Sequence, residues 1–353
     1  TALSPNQSEQ ADDHFDVDAY TGSASNQTRT LSFQADWMWF KERTTDGIQH
    51  QLFDSSRLHS TSNAKFGKKF DIAGSTLSAE ADSTAIVSQS GNDVTLSGGV
   101  STVNDAFSRT YVNWYWKANG GTTSSNTQGS IPSTVQANTI AGFSIVTYTG
   151  TGSAGTIGHG LGAVPKWILI KGRTNAKNWI VYHAANTSAP ETDYLHINTN
   201  NATQDSAIFF NDTAPTNEVI SLGSGNNVND LNVTYVAYVF AEIEGYSRFG
   251  SYTGNSDADG TFVYTGFRPA YIMVKKTSGN DNWVIHDNAR SPTNVVNGFL
   301  TADQTDNEFP DDSCDFVSNG FKWRLNSGAR NTSGQTYIYM AFAEQPFKFS
   351  NAR

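Results

Sequence analysis

One block of sequence occurs three times in this 353-residue chain. Its clearest form begins at Phe143, passes through Tyr-Thr-Gly and then Pro165 into the apolar run Trp-Ile-Leu-Ile-Lys, and closes at His183. A later copy of the block follows Arg248, and a more divergent copy follows His14. A chain that repeats a block of this kind is expected to fold as repeated structural units.

A second marker follows each block, an aromatic stretch that begins with Thr-Tyr at Thr110, Thr234 and Thr336. The tyrosines of Tyr-Thr-Gly lie more than about 100 residues apart, whereas solenoid repeats measure roughly 20–50 residues. Each copy should therefore be a whole domain or most of one.

The two markers divide the chain into five parts. Residues 1–13 have no apolar period and are expected to form an N-terminal arm. Copy one covers 14–117, copy two covers 142–246 and copy three covers 247–353. The Gly-, Ser- and Thr-rich stretch 118–141 is predicted to be a linker. Because almost nothing separates copies two and three, these two are expected to dock, with copy one the more independent unit.

Composition favours an all-β fold. Charged residues make up 16% of the chain while Gly, Ser, Thr and Asn are abundant, which disfavours long helices and suits short strands joined by turns. Aromatic residues reach 12%, as is typical of sandwiches whose inner faces interdigitate. We predict three internal repeats folded as tandem β-sandwich modules of jelly-roll-like form. A short helix is predicted at 77–86.

The apolar runs after Pro165 and Pro269 are predicted to be strands buried on both faces, or nearly so. Lys171 and Lys275 close these runs, and Lys41 holds the same place in copy one. Each lysine is expected to mark the point where its strand emerges into solvent.

Charge and composition exclude several classes of function. The chain carries 33 acidic and 23 basic residues, a net charge of −10, without a basic cluster, so nucleic acid is not an expected partner. No run of about 18 apolar residues exists, so membrane insertion is not expected. The Gly-rich run 150–162 leads into a strand rather than a helix, unlike a phosphate-binding loop, and no cofactor is predicted.

The motifs of common catalytic sites do not occur in the sequence, and the chain is predicted not to be an enzyme. Cys314 is the single cysteine and lies in an acidic turn that disfavours a thiolate. His183 and His286 occupy equivalent positions in copies two and three, which favours a structural role inherited by both copies. No second ligand has the spacing of a tetrahedral metal site, so no metal site is predicted.

Two acidic stretches leave calcium binding open as an alternative to solvated loops. Neither stretch matches the twelve-residue calcium loop. The carboxylates concerned are Asp257, Asp259, Asp303, Asp306, Glu308, Asp311, Asp312 and Asp315.

Aromatic residues in the variable loops are the sequence's candidates for stacking on sugar rings, with burial in a core as the other interpretation. They are Phe209, Phe210, Phe299 and Phe309. The residues that would bind a ligand are otherwise unidentified from the sequence.

The repeated block, together with the closing stretch 341–353, resembles a family of structural proteins of marine tailed bacteriophages, described as tail-fibre-like or virion structural proteins. The resemblance covers residues 14–353. It implies β-rich modules of a virion appendage, with no catalytic residues to carry over. No sizeable domain precedes the first copy, unlike in a typical fibre, which makes a globular knob or decoration the alternative to a shaft.

This resemblance leads us to expect a non-enzymatic virion structural protein on the surface of a phage particle, where an appendage of tail-fibre or spike type mediates host-surface recognition. The alternatives are a capsid or tail decoration protein that stabilises the particle, and a polysaccharide depolymerase. The expected partners are other virion proteins, further copies of the chain, most simply in a trimer, and a host surface glycan or protein.

Overall fold

The computed structural model describes residues 10–62, 64–73, 78–105 and 108–344. In these ranges the chain is nearly all β and forms antiparallel sheets of sandwich type, which confirms the predicted fold class. The helices are short: a 3-10 helix at Ala11–Asp13 and α1 at Ala207–Phe210. Ala11 is buried, so the end of the predicted arm packs against the body, while residues 1–9 lie outside the described ranges.

The described part of copy one contains a main sheet and a smaller one. Its strands are β1 (Phe15–Thr21), β2 (Gln27–Thr30), β3 (Trp37–Glu42), β4 (Gln51–Asp54), β5 (Lys68–Asp71), β6 (Ala81–Asp82), β7 (Ile86–Ser90), β8 (Asp93–Leu96) and β9 (Thr110–Trp116). The main sheet has the order β1-β9-β3-β4-β5-β6 and the smaller one β2-β8-β7.

The helix predicted at 77–86 is wrong for the part of that segment that the structure describes. Residues 81–82 pair with β5, and Ile86 begins β7 in a hairpin with β8. Ile86 and Val87 are β-branched residues that favour strands, and pairing with neighbouring strands satisfies their backbone.

Copy two and the segment before it contain ten strands and α1. They are β10 (Ser124–Asn126), β11 (Ser133–Asn138), β12 (Phe143–Thr149), β13 (Gly155–Gly158), β14 (Pro165–Gly172), β15 (Ile180–His183), β16 (Asp193–Tyr194), β17 (Gln204–Asp205), β18 (Val219–Leu222) and β19 (Thr234–Ala241). The main sheet has the order β10-β11-β12-β19-β14-β15, and β13-β18 and β16-β17 form two small sheets.

The predicted linker 118–141 is in fact part of the main sheet of copy two. Strand β11 pairs with β12 along its whole length, and β10 pairs with β11. Alternation explains the strand: Val135 faces the core of copy two, while Gln136 is buried on the opposite face against Ser55 of copy one. The polar composition suggested a linker, because the sequence alone does not show that these polar side chains form hydrogen bonds with copy one.

Copy three is built around one eight-stranded sheet. Its strands are β20 (Ser247–Thr253), β21 (Phe262–Tyr264), β22 (Pro269–Lys276), β23 (Val284–Asp287), β24 (Val296–Thr301), β25 (Phe309–Val317), β26 (Gly320–Trp323) and β27 (Thr336–Ala343). The sheet has the order β20-β27-β22-β23-β24-β25-β26-β21.

The same four-strand order recurs in the three copies, as β1-β9-β3-β4, β12-β19-β14-β15 and β20-β27-β22-β23. In each copy the tyrosine of Tyr-Thr-Gly stacks on the tyrosine of the Thr-Tyr stretch, with ring centroids 5.1–5.2 Å apart. The three pairs are Tyr20 with Tyr111, Tyr148 with Tyr235, and Tyr252 with Tyr337. These matching features support the prediction of three repeats.

The main sheets of copies one and two each cover a different core on each face, whereas both faces of the copy-three sheet belong to one continuous central core. In β12, Val146 and Tyr148 face the core of copy two, whereas Phe143 and Ile145 face a central core shared by all three copies. The alternation in β14 is the same, and its burial on both faces confirms the prediction from the apolar run. All eight tryptophans are buried, and they lie in the central core: Trp37, Trp39, Trp114, Trp116, Trp167, Trp179, Trp283 and Trp323.

The copies contact one another in a closed cycle. At each junction a main-chain amide donates to the carbonyl at the end of a central strand in the next copy. The three bonds are Glu80 to Arg173 at 2.8 Å, Thr203 to Thr277 at 3.1 Å, and Glu308 to Arg43 at 2.9 Å. Copy one therefore contacts both other copies, and the expectation that it is the more independent unit is wrong.

The lysines that close the apolar runs are buried instead of exposed to solvent, and two of the three bond to a neighbouring copy. Lys41, Lys171 and Lys275 are all buried, and burial lowers the pKa of each to about 8. Lys41 donates to the carbonyl of Thr305 in copy three, and Lys275 to that of Asn200 in copy two. Lys171 donates to the carbonyl of Lys177 within copy two. The sequence prediction was wrong because carbonyl oxygens, from the neighbouring copy for Lys41 and Lys275, take the place assigned to water.

Candidate functional site

The two histidines that the sequence analysis placed at equivalent positions are both buried. Strand register pairs Trp167 with His183 but Tyr271 with Asp287, so His286 lies one residue before the position of His183 and the predicted equivalence is wrong. His183 Nε2 lies 3.0 Å from the carbonyl oxygen of Tyr339, across the junction between copies two and three. His286 Nδ1 lies 3.0 Å from the carbonyl oxygen of Gly298. Burial lowers the pKa of both imidazoles, that of His183 to about 4. Their contacts are those of packed structural groups, and the described residues include no group of three or more His, Cys, Asp or Glu side chains placed to hold a metal ion.

Asp54 and Asp287 occupy the position of His183 in copies one and three, and both lie in buried ion networks. Asp54 binds Arg57 and accepts a hydrogen bond from the Tyr238 hydroxyl of copy two at 2.6 Å. Asp287 binds Arg290 at 2.6 Å and accepts from Trp114 Nε1 of copy one at 3.2 Å. These carboxylates are closed off from solvent, so no external substrate reaches them in this conformation.

The acidic residues considered for calcium are largely engaged by other groups. Asp303 accepts the Trp283 amide at 2.9 Å, and burial raises its pKa to about 6. Glu308 lies between Arg43 and Arg290, with oxygens 2.6 and 2.5 Å from their guanidinium nitrogens. Basic side chains also bind three other carboxylates, in the pairs Asp311 with Arg330, Asp315 with Arg324 and Asp259 with Lys322.

Most of the aromatic residues proposed for sugar stacking are enclosed. Phe209 and Phe210 are buried in the core of copy two, so their assignment to a sugar site is wrong. Phe299 and Phe309 are half-buried and stack on each other with centroids 5.1 Å apart, while Arg330 covers Phe299. Cys314 is also buried, which raises the pKa of its thiol.

Two other aromatic side chains are exposed next to each other, Phe262 and Tyr264, which we call the aromatic pair. Their exposed fractions are 44% and 59%, whereas Val263 between them is buried in the central core. They lie on β21, the edge strand of the sheet in copy three, on the face opposite to the core. The sequence analysis did not identify them, although the alternation of one inward valine between two outward aromatics was the available signal.

Hydrogen-bonding groups surround the aromatic pair. Strand register places Lys322 beside Phe262 and Asp315 beside Lys322 on the same face. Lys322 Nζ lies 2.8 Å from Asp259, and Arg324 binds Asp315, so the charges beside the rings are balanced. Gly320 lies opposite Tyr264 and has no side chain to cover it. The result is an open apolar surface with a polar, nearly neutral rim.

A groove of about 560 Å³ lies elsewhere, in copy two, and we call it the threonine groove. It is lined by Ile131, Pro132, Thr134, Thr147, Tyr148, Thr149, Gly150, Thr151, Arg173, Leu231, Asn232 and Thr234. Arg173 is the one formally charged residue among those that line it in the described structure.

One family of proteins matches the chain along most of its length, over residues 10–346, and its description is a domain of unknown function. Comparison with curated proteins and with solved structures gives no match. In the part of the chain that the structure describes, no helix has the length and apolar character required to cross a bilayer.

Proposed function

Because the chain belongs to the DUF7483 family, whose description assigns no function, we propose its function from its own residues. It is a non-enzymatic structural protein of the phage virion surface, in an appendage of tail-fibre or spike type, and it recognises a glycan on the host surface. The sequence resemblance to phage structural proteins supports the virion location. The aromatic pair supports recognition.

The observation that carries the proposal is the exposure of Phe262 and Tyr264 beside a polar rim. Aromatic rings offer flat apolar faces, and the hydroxyl of Tyr264 adds a polar group at the outer end. A sugar ring combines an apolar C–H face with hydroxyls around its edge, so it fits a surface that has an apolar centre and a polar rim. The balanced pairs of Lys322 with Asp259 and of Arg324 with Asp315 favour a neutral glycan over a strongly charged one.

Recognition through one such surface would be weak, and multiple copies on a particle would compensate. Linked binding sites raise the effective concentration at the second site, so avidity exceeds single-site affinity by about 10²–10⁴. The net charge of −10 disfavours nonspecific attraction to polyanionic envelopes. This combination suits an appendage that adsorbs reversibly before infection.

Other virion proteins and further copies of the chain remain the proposed partners, with a trimer as the simplest oligomer. The three copies within one chain already contact one another in a cycle, so these inner surfaces are unavailable to a second chain. An oligomer would use the outward surfaces of the copies.

Antibody labelling of intact particles combined with a cell-binding assay tests the proposal. We expect label on an appendage, and we expect purified protein clustered on beads to bind host cells. The double variant Phe262→Ala with Tyr264→Ala should lose at least about tenfold in bead adhesion. Ile140→Ala with Val164→Ala removes two exposed apolar side chains, one just before copy two and one within it, and is the matched control.

The outcomes separate the alternatives. Label over the head, with adhesion absent, would replace the proposal with a decoration protein. Release of reducing sugar from host envelopes by the purified protein would replace it with a depolymerase. Equal adhesion by the wild type and the aromatic-pair variant would remove Phe262 and Tyr264 from recognition.

A further inference from the structure

The threonine groove is a second binding site, and we propose that it takes one or two rings of a neutral saccharide. Its volume of about 560 Å³ lies within the range of roughly 300–1,000 Å³ of small-molecule sites. The inference is independent of the aromatic pair, because no residue is shared between the two surfaces.

The groove exists because the segment 118–141 adds strands to the sheet of copy two. In copies one and three the equivalent strands β1 and β20 are the sheet edges. In copy two β11 pairs with β12 and extends the sheet by Thr134, while Ile131 and Pro132 before it form a side wall. The site is therefore specific to copy two, although all three copies have the underlying strand order.

Four threonines on one face of the sheet form the floor. Thr134 lies beside Thr147, and Thr149 beside Thr234, in adjacent strands. The hydroxyls of Thr147, Thr149, Thr134 and Thr234 make no hydrogen bond to another described residue, and none is among the buried polar atoms without a partner. A hydroxyl both donates and accepts hydrogen bonds, so these threonines can donate to the hydroxyls of a sugar and accept from them.

Apolar side chains stand at the sides of the floor. Leu231 is 61% exposed, the highest value among the large apolar residues that the structure describes, and it lines the groove together with Pro132 and Ile131. These aliphatic surfaces provide contact for the C–H groups of a sugar. The groove thus combines hydroxyls below with aliphatic walls, the usual combination of apolar lining and a few placed polar groups.

Charge and backbone pairing argue against other ligand classes. Glu80 of copy one binds Arg173 through two hydrogen bonds of 2.9 and 3.0 Å, so the guanidinium charge is already compensated and a phosphate or carboxylate gains little. Strands β11, β12 and β19 each have a neighbour on both sides, so a peptide finds no free strand edge to join. A ligand in this groove must therefore be recognised by side chains, which is how a saccharide would be bound.

Ligand-observed saturation-transfer NMR on the whole chain tests the inference. The probes are the neutral disaccharides cellobiose, lactose, maltose and mannobiose, with inorganic phosphate and glucuronic acid as anionic probes. We expect transfer to at least one disaccharide, and a loss of at least about tenfold in its affinity in Thr147→Val with Thr149→Val, which removes two hydroxyls at nearly constant volume.

The matched control is Thr28→Val with Thr95→Val, an exposed cross-strand threonine pair in copy one. This control should bind as the wild type does, and thermal melting should show all variants folded. Absence of transfer from every disaccharide at 20 mM (roughly the weakest binding of interest), preference for an anionic probe, or equal binding by both threonine variants would each overturn the inference.

The same measurement separates this site from the proposed function. Phe262→Ala with Tyr264→Ala should leave disaccharide binding in the groove unchanged. Loss of groove binding in that variant would show that the probes bind at the aromatic pair, and the groove inference would then be wrong while host recognition would stand.

Discussion

Glu80 and Arg173 are joined twice across the junction between copies one and two. The Glu80 amide donates to the Arg173 carbonyl oxygen at 2.8 Å, and the Arg173 guanidinium donates to the two carboxylate oxygens of Glu80 at 2.9 and 3.0 Å. Glu308 and Arg43 repeat the main-chain bond between copies three and one, and the Arg43 guanidinium donates to one carboxylate oxygen of Glu308. Between copies two and three, Thr203 and Thr277 keep the main-chain bond and replace the charged side chains with small neutral ones. Two junctions thus carry a side-chain ion pair between the bonded residues, and the third carries none between its two threonines.

Glu80→Gln should destabilise the protein by about 3 kcal/mol, because it removes the charge that faces both Arg173 and the buried Arg57. The measurement is urea unfolding followed by tryptophan fluorescence. Arg248→Gln, which breaks an exposed pair with Glu242, is the control and should cost about 0.5 kcal/mol. Equal costs would show that the junction network contributes no more than a surface pair.

Trp37→Ala should cost about 3–5 kcal/mol. Its ring lies 4.5 Å from both Trp116 of copy one and Tyr238 of copy two, so truncation opens a cavity between copies. Phe262→Ala, at an exposed position, is the control and should change the free energy of unfolding by less than about 0.5 kcal/mol. A small effect of Trp37→Ala would mean that the central core relaxes around the cavity.

The whole described body should unfold in one cooperative transition in scanning calorimetry. The central core takes residues from all three copies, so no copy can unfold without exposing the core faces of the others. Trp37→Ala should lower the midpoint without splitting the transition. Two or more separated peaks in the wild type would contradict this prediction and would indicate copies that fold independently.

Stability should fall as the pH drops from about 6.5 to about 4 through the contribution of His183. Burial lowers the pKa of this imidazole in the folded protein from 6.5 to about 4, and Lys166 acts in the same direction. In that window the unfolded state binds more protons, so acid favours unfolding, with a full effect of about 3 kcal/mol.

The measurement is the difference in the free energy of unfolding between the wild type and His183→Gln across this pH range. Subtracting the variant removes the contributions of the other titrating groups, which both proteins share. The advantage of the wild type should shrink toward acid pH, and a constant difference would contradict the lowered pKa.

The sequence predicted where strands form better than it predicted which residues pack against those strands. Tyr148 and Tyr235 marked repeated stretches that prove to be paired strands, and the run after Pro165 indicated burial on both faces. The sequence did not predict which residues cover the second face of β14, since an apolar run gives no information about its packing partner. The buried Lys41 and the polar β11 were misinterpreted for the same reason: another copy forms hydrogen bonds with them, and contacts between copies have no local pattern.

The candidate sites were less accessible to sequence reasoning. Phe209 and Phe262 belong to the same residue type and both lie near variable segments, yet one is buried and the other exposed. The threonine groove depends on β11 joining β12, an association that Gly- and Ser-rich composition argued against. Surface chemistry of this kind follows from tertiary packing, so it becomes visible only when the sheets are assembled.

The shared central core also sets an order of events during synthesis. A ribosome releases copy one first, with Trp37, Trp39, Trp114 and Trp116 on a sheet face that only copies two and three can cover. Copy two covers part of that face, since Tyr238 stacks on Trp37. The face is completed only when β27 has left the exit tunnel, because Phe342 stacks on Phe15 at 4.9 Å to close the cycle. The nascent chain therefore exposes aromatic side chains of this face until copy three has been synthesised, and its yield in the cell depends on protection of that surface before β27 emerges.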